Sequence, residues 1–199
     1  LSALEKEVEA KKKERDSNVD TRVAEIMKAA ITDAKALGDS VGGVLETAVI
    51  GMPEGVGEPW FDSLESVLSH GLFAIPGVKG VEFGVGFGCA ELMGSEMNDE
   101  YYFENSVVKT ATNNNGGING GISNGMPIVF NCAVKPTPSI SKTQNTIDFV
   151  NGENTVLATQ GRHDPCIVHR ARVVVDSITA LALCDLLSQK FGIDWLGEN

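Results

Sequence analysis

The segment PIVFNCAVK, residues 127–135, sets the first constraint on this chain. Ile128, Phe130, Cys132 and Val134 occupy every second position, and in extended backbone such residues share one face. Four apolar side chains on one face must be covered, which predicts a strand in a sheet with a buried side. Its flanks limit that sheet. NNNGGINGGISNG (113–125) leads in and PTPSIS (136–141) leads out. Glycine permits tight turns and close backbone approach, and proline removes ladder donors.

The remaining pattern supplies partners. Val23, Ile26, Met27, Ala30, Ile31, Ala34 and Leu37 recur at three- and four-residue steps, predicting a helix capped by Asp20 or Thr21 and stopped by Gly38. SVGGVLETAVIG (40–51) alternates as a strand. WFDSLESVLSHGLFAI (60–75) places Phe61, Leu64, Val67, Leu68 and Leu72 at helical spacing and ends at Pro76-Gly77. VKGVEFGVGFG (78–88) alternates again, with Val81, Phe83, Val85 and Phe87 on one face. Residues 89–125 show little periodicity and read as a long functional or mobile loop. QNTIDFV and TVLATQ around NGEN form a hairpin signal. VVVDSITALALCDLLSQKFG closes the chain as a helix, with Val174, Ile178, Leu181, Ala182 and Leu186 at helical steps. No internal repeat occurs. The fold class expected is α+β, with mostly antiparallel sheets and helices on one face. Residues 1–19 form a polar, helix-prone lead-in, and 20–199 hold the predicted elements, with length enough for one good core or two small ones.

Composition removes several functions. Hydrophobic residues make up 42% and no run of about 18 apolar residues occurs, so no membrane span is expected. The charged opening LSALEKEVEAKKKERD is unlike a secretory signal, and the missing initial methionine suits a processed or shortened product. A net charge of −11 argues against nucleic acid, while a local Arg/Lys cluster still permits a small anion. Cys89, Cys132, Cys166 and Cys184 form no C-x-x-C, which suits reduced thiols in the cytoplasm.

Three readings remain open for GRHDPCIVHR (161–170). His163, Cys166 and His169 are three apart, but zinc asks for a fourth ligand and a helix would splay these three, so no metal is expected. Cys166 beside a histidine could be a nucleophile, although a buried cysteine is commonly filler. Asp164-Pro165 could cap a helix, leaving Arg170 and Arg172 on a solvated face. Elsewhere, GVGFG (84–88) lacks the spacing of a dinucleotide turn. The glycine-rich 113–125 segment is either a surface loop or backbone open to a flat ligand. In VKPTPSISK (134–142), the amides and hydroxyls of Thr137 and Ser139 and the Lys135 ammonium could meet an anion or the polar edge of a ring; the alternative is an ordinary strand exit.

Together these stretches resemble one family. NGGINGGISNGMPIVFNCAVKPTPSIS, GRHDPC with its following helix, FDSLESVLSHGLFAIPGVKGVEFGVGFG, GDSVGG (38–43) and GVGEPWFD (55–62) closely resemble the carboxyl-terminal half of chorismate synthase, in the same order and over roughly residues 20–190. The resemblance implies a sandwich of β-sheets and helices, assembled as a homotetramer in the cytoplasm. It implies a lyase of the shikimate pathway to aromatic amino acids. The substrate is 5-enolpyruvylshikimate 3-phosphate, which loses phosphate and a ring proton by 1,4-elimination, with reduced FMN and no net redox change. It assigns flavin contacts to Pro76, Gly77, Gly120, Lys135, Pro136, Thr137, Pro138, Ser139 and Arg162, and makes Asp164 the acceptor of the ring proton by way of the flavin. Arg162 beside it would keep that carboxylate ionised.

Asp176 stands where the family usually has glutamate, and Val173 where it usually has proline or a small residue. The family's GESHG-type motif, its two acid–base histidines and its substrate arginines have no counterpart here. The implied partner is therefore an amino-terminal half, more basic than this one because substrate and FMN are anions. The chain by itself is expected not to turn over. The rival expectation is a non-catalytic fragment or degenerate paralogue serving as a binding or assembly module. Exposed apolar surface on this chain would follow from the tetrameric assembly.

Overall fold

A computed structural model describes residues 21–161 and 163–193. The polar lead-in expected over residues 1–19, and the Asp20 cap, lie outside the described residues. The chain divides into two compact units.

The larger unit holds residues 43–135 and continues from Arg170. Its centre is a three-stranded antiparallel sheet made of β1 (Gly43–Val49), β2 (Val78–Phe83) and β7 (Ile128–Val134), with β7 between the other two. In the register, Phe130 stands opposite Thr47 on one side and Phe83 on the other. The alternation of β7 translates directly into burial: Ile128, Phe130 and Cys132 are fully buried and Val134 nearly so. Burial raises the pKa of the Cys132 thiol.

Helix α2 (Leu64–Phe73) crosses from β1 to β2 and buries Leu64, Leu68 and Leu72 as one stripe. Ser63 starts it, its hydroxyl accepting the Ser66 amide at 3.1 Å. Phe61, expected in this helix, instead lies in a 3₁₀ turn (Trp60–Asp62) and is exposed, because the Ser63 cap fixes the start beyond it. Helix α4 (Val168–Phe191) approaches α2 at Gly71, where a Cβ would come within 2.8 Å of the Ile178 side chain. Its buried residues are Val168, Val175, Thr179, Leu183 and Leu186. Of the expected face, Leu186 is buried and Ile178 and Ala182 are half-buried, whereas Val174 and Leu181 are exposed. An apolar run with few polar markers fixes the phase of a helix only in part.

Two further expectations are corrected in this unit. The strand predicted over 78–88 stops at Phe83, because Gly84 and Gly86 adopt φ of +57° and +55° and turn the chain into a 3₁₀ segment (Gly86–Glu91). The long loop of 89–125 contains short elements: α3 (Gly94–Met97) and the hairpins β3 (Tyr101–Glu104)–β4 (Val107–Thr110) and β5 (Ile118–Asn119)–β6 (Ile122–Ser123).

Gly120 and Gly121 form the turn between β5 and β6, at φ of +60° and +89°. A Cβ on Gly120 would meet nothing within 4 Å, whereas one on Gly121 would lie 2.7 Å from the Glu58 carbonyl oxygen and 2.8 Å from Ser63 Cβ. Gly121→Ala is therefore expected to cost about 1–3 kcal/mol in backbone strain alone, with the clash added. Gly120→Ala should carry only the strain. Urea unfolding of the two variants checks this, and equal midpoints would contradict it.

The smaller unit holds residues 21–42 and 136–169. Helix α1 (Thr21–Ala36) ends at Gly38, whose φ is +68°. Its best-covered residue is Ala34, while Val23, Ile26 and Leu37 are exposed. The hairpin β8 (Gln144–Asp148)–β9 (Glu153–Leu157) forms as expected, and Asp148 fastens its tip by accepting the amides of Val150 and Asn151 at 2.9 and 3.1 Å. Among the described residues no helix is long and apolar enough to cross a membrane.

Candidate functional site

Within the smaller unit, the GDSVGG, KPTPS and RHDPC stretches meet. The Ser40 hydroxyl donates to the Thr137 carbonyl at 2.6 Å. The Val41 amide donates to the Pro165 carbonyl at 2.9 Å, and the Ser141 amide to the Gly38 carbonyl at 3.0 Å. Lys142 Nζ lies 2.7 Å from Asp39 Oδ2. That bond, with the Ser40 amide behind it, holds the Asp39 carboxyl below its ordinary pKa. His163 Nε2 lies 2.9 Å from the Thr159 carbonyl, a bond in which the ring donates. Residues about one hundred positions apart or more are thus tied by backbone and side-chain bonds into one frame.

That frame holds Thr137 in an unusual state. Its Oγ1 is buried and has no hydrogen-bond partner among the described residues. A buried hydroxyl ordinarily finds one, so such an atom calls for an explanation such as an unseen ligand. Pro136, Pro138 and Ser139 around it are exposed.

Asp164 is half-buried, and its Oδ1 accepts the Cys166 amide at 3.4 Å. Helix α4 begins only at Val168. The expectation that Asp164-Pro165 caps that helix is therefore corrected: the carboxylate bonds its own turn, because the chain needs two more residues after Pro165 before helical geometry starts. Cys166 is buried at 8% exposure, in line with packing. His169 is exposed on the first turn of α4, and Asp176 is exposed further along it. Among the described residues no group of three or more His, Cys, Asp or Glu side chains is arranged to hold a metal. Arg162 lies outside the described residues.

The larger unit carries Pro76, Gly77, Gly120 and Lys135. The Lys135 amide donates to the Gly77 carbonyl at 2.8 Å, so the turn before β2 is bonded to the exit of β7. Gly77 takes a φ of +97°, which a side chain would oppose. Gly120 is exposed at its turn with open space beside it, as backbone that receives a flat ligand requires. In the same glycine-rich stretch, Asn113 Nδ2 donates to the Pro127 carbonyl at 2.8 Å, while its buried Oδ1 has no partner among the described residues. Sequence reasoning missed Ser40 and Asn113. Nothing in residue type marks a serine that braces a distant carbonyl, and one asparagine among three carries no local signal.

The antiparallel sheet, the helix α2 packed against it and the glycine turns at its ends define an α+β protein whose motif residues cluster in loops rather than in elements. The chain belongs to the chorismate synthase family, whose pattern matches residues 2–188. It is 50% identical over 166 residues to the chorismate synthase of Methanobrevibacter smithii, covering 83% of this chain and 46% of that one. It is 50% identical over 167 residues to that of Dehalococcoides mccartyi, covering 84% and 46%. A crystal structure of chorismate synthase superimposes with a TM-score of 0.71 at 30% identity, covering 88% of this chain and 46% of that one. The chain thus spans about half the length of the curated relatives it matches.

Proposed function

We propose that this chain furnishes flavin-contacting residues of a chorismate synthase, an enzyme that eliminates phosphate and a ring proton from 5-enolpyruvylshikimate 3-phosphate to give chorismate. Family membership supports that reaction. The observation that carries the assignment to these residues is Thr137 Oγ1, a buried oxygen lacking a partner among the described residues, in the stretch the family uses for FMN. An FMN-facing role explains that atom, and within the larger unit the open face of Gly120 suits close approach of a flat ligand.

Pro76, Gly77, Gly120 and Lys135 in the larger unit, and Pro136, Thr137, Pro138, Ser139 and Arg162, are the residues proposed to hold it. When bound, reduced FMN supplies electron density that eases the departure of phosphate. The protein binds, orients and neutralises. Lys135 offers a cation to an anionic ligand, and the two prolines keep the Thr137 and Ser139 backbone stiff. The Asp164 carboxylate is the proposed resting place of the substrate's ring proton. The cytoplasm and a homotetramer complete the proposal. Trp60, Phe61 and Phe87 are each more than 80% exposed in this chain, as surface covered on assembly would be.

Titration with FMN tests the assignment. Replacing Thr137 by valine is expected to weaken FMN binding about fivefold to tenfold, the worth of a single hydrogen bond. The free protein should be as stable as the parent or slightly more so, because the change removes a buried unsatisfied hydroxyl. Loss of stability with unchanged FMN affinity would make Thr137 structural. An assay of the chain alone with reduced FMN and substrate is expected to yield no chorismate, and appreciable product would contradict that expectation.

A further inference from the structure

Asp99 is 3% exposed and is the one buried carboxylate among the described residues. It lies between α3 and β3, and every partner it has there is neutral. Its Oδ1 accepts the Thr112 hydroxyl at 2.6 Å and the Asn114 amide at 2.7 Å. Its Oδ2 accepts the Asn115 amide at 3.0 Å and the Asn115 side-chain amide at 2.8 Å. Burial opposes the charged form most strongly, yet the four donors together hold the carboxyl below its ordinary pKa. A carboxylate is the side chain of this size that accepts at both oxygens. A neutral amide would turn an N–H₂ group towards two donors.

The clamped segment leads to Gly120. The Asn114 carbonyl accepts the Val85 amide at 2.9 Å, and the Gly116 carbonyl accepts the Val129 amide of β7 at 3.1 Å. The Asn114 side chain donates to the Glu96 carbonyl at 3.0 Å. Two residues beyond Asp99, the Tyr101 hydroxyl donates to Asn119 Oδ1 at 3.3 Å, and the Asn124 side chain donates to the same oxygen at 2.7 Å. Asn119 immediately precedes Gly120. Residues 99–101 therefore brace both ends of the 112–120 segment, with Asp99 holding its start and Tyr101 its tip.

We propose that Asp99 is a positioning residue for ligand binding at Gly120: its carboxylate holds residues 112–115 so that the β5–β6 turn is presented in one conformation. Asp99 acts through the loop. The proposal rests on the reading of Gly120 as flavin-facing.

The test uses the full chain with FMN as probe, read by titration and by amide hydrogen exchange. Asp99→Asn is expected to raise the FMN dissociation constant about tenfold and to speed exchange at the Asn114 and Asn115 amides about a hundredfold, with the amides of β7 still protected. Asp99→Glu keeps the charge and should recover part of both effects. Thr112→Val removes one donor, keeps the carboxylate and should move both readouts less, in the same direction; it decides the matter if Asp99→Asn does not fold. Faster exchange at Asn114 and Asn115 with unchanged FMN affinity overturns the proposal, as does no change in either. A parent chain that binds no FMN removes the flavin reading and this role with it. A parent that binds, with variants binding equally well, removes the role of Asp99 alone.

Discussion

Phe130→Ala is expected to lower the unfolding free energy by about 3–5 kcal/mol, the range for truncating a large buried aromatic. Phe130 is fully buried at the middle of the central strand. Its ring lies 5.8 Å from that of Phe83 at 47°, so truncation removes an aromatic pair as well as buried area. Neighbours cannot easily close the gap. On the same face, Cys132 is fixed by strand pairing on both sides and Ile128 by pairing with β1. The control is Ala133→Ser on the opposite, half-exposed face, expected to cost well under 1 kcal/mol. Urea unfolding followed by far-UV circular dichroism reads both. A Phe130→Ala cost below about 1 kcal/mol would mean that this face is not the core.

Asp164→Asn carries the largest expected effect on turnover. In the active enzyme it should lower kcat by about 10²–10⁴, the usual contribution of a positioned acid or base. The substitution preserves shape, and the amide oxygen can still accept from the Cys166 amide. What it removes is the carboxylate proposed to receive the ring proton. The late start of α4 makes this variant informative, because a carboxylate that does not cap a helix can be changed without unwinding one. FMN affinity should change little. Single-turnover measurement at saturating FMN separates the outcomes: near-normal turnover removes the proton-accepting role, while lost FMN binding moves Asp164 to the binding surface.

Sheet and helices were legible where one period dominated. The alternation of β7 gave its buried face residue by residue, and NGEN gave the β8–β9 hairpin. The face of α4 was legible in part: Ile178, which meets α2 at Gly71, and the buried Leu186 were in the expected stripe, but the apolar Val174 and Leu181 beside them are exposed. The β3–β4 hairpin was missed because its turn is Asn105-Ser106, at φ of +51° and +64°. Two non-glycine residues there adopt a conformation usually signalled by Asn-Gly. The site followed the same division. Motif resemblance pointed to Thr137 and Gly120. The bonds of Ser40 and Asp99 reach partners 97 and 13–16 positions away, by way of backbone and side-chain groups, and leave no spacing to find.

The close approaches at glycine bear on how this chain can vary. At Gly57, Gly84, Gly116 and Gly117 an added Cβ would lie 2.0–2.6 Å from a backbone oxygen. Every amino-acid-changing single-base step from a glycine codon introduces a Cβ, so these positions have no neutral neighbours in sequence space. The β8–β9 hairpin is the opposite case, with Phe149 and Val150 almost wholly exposed. Mutational libraries of this chain should therefore return survivors from residues 144–157 and almost none from these four glycines, however conservative the replacement.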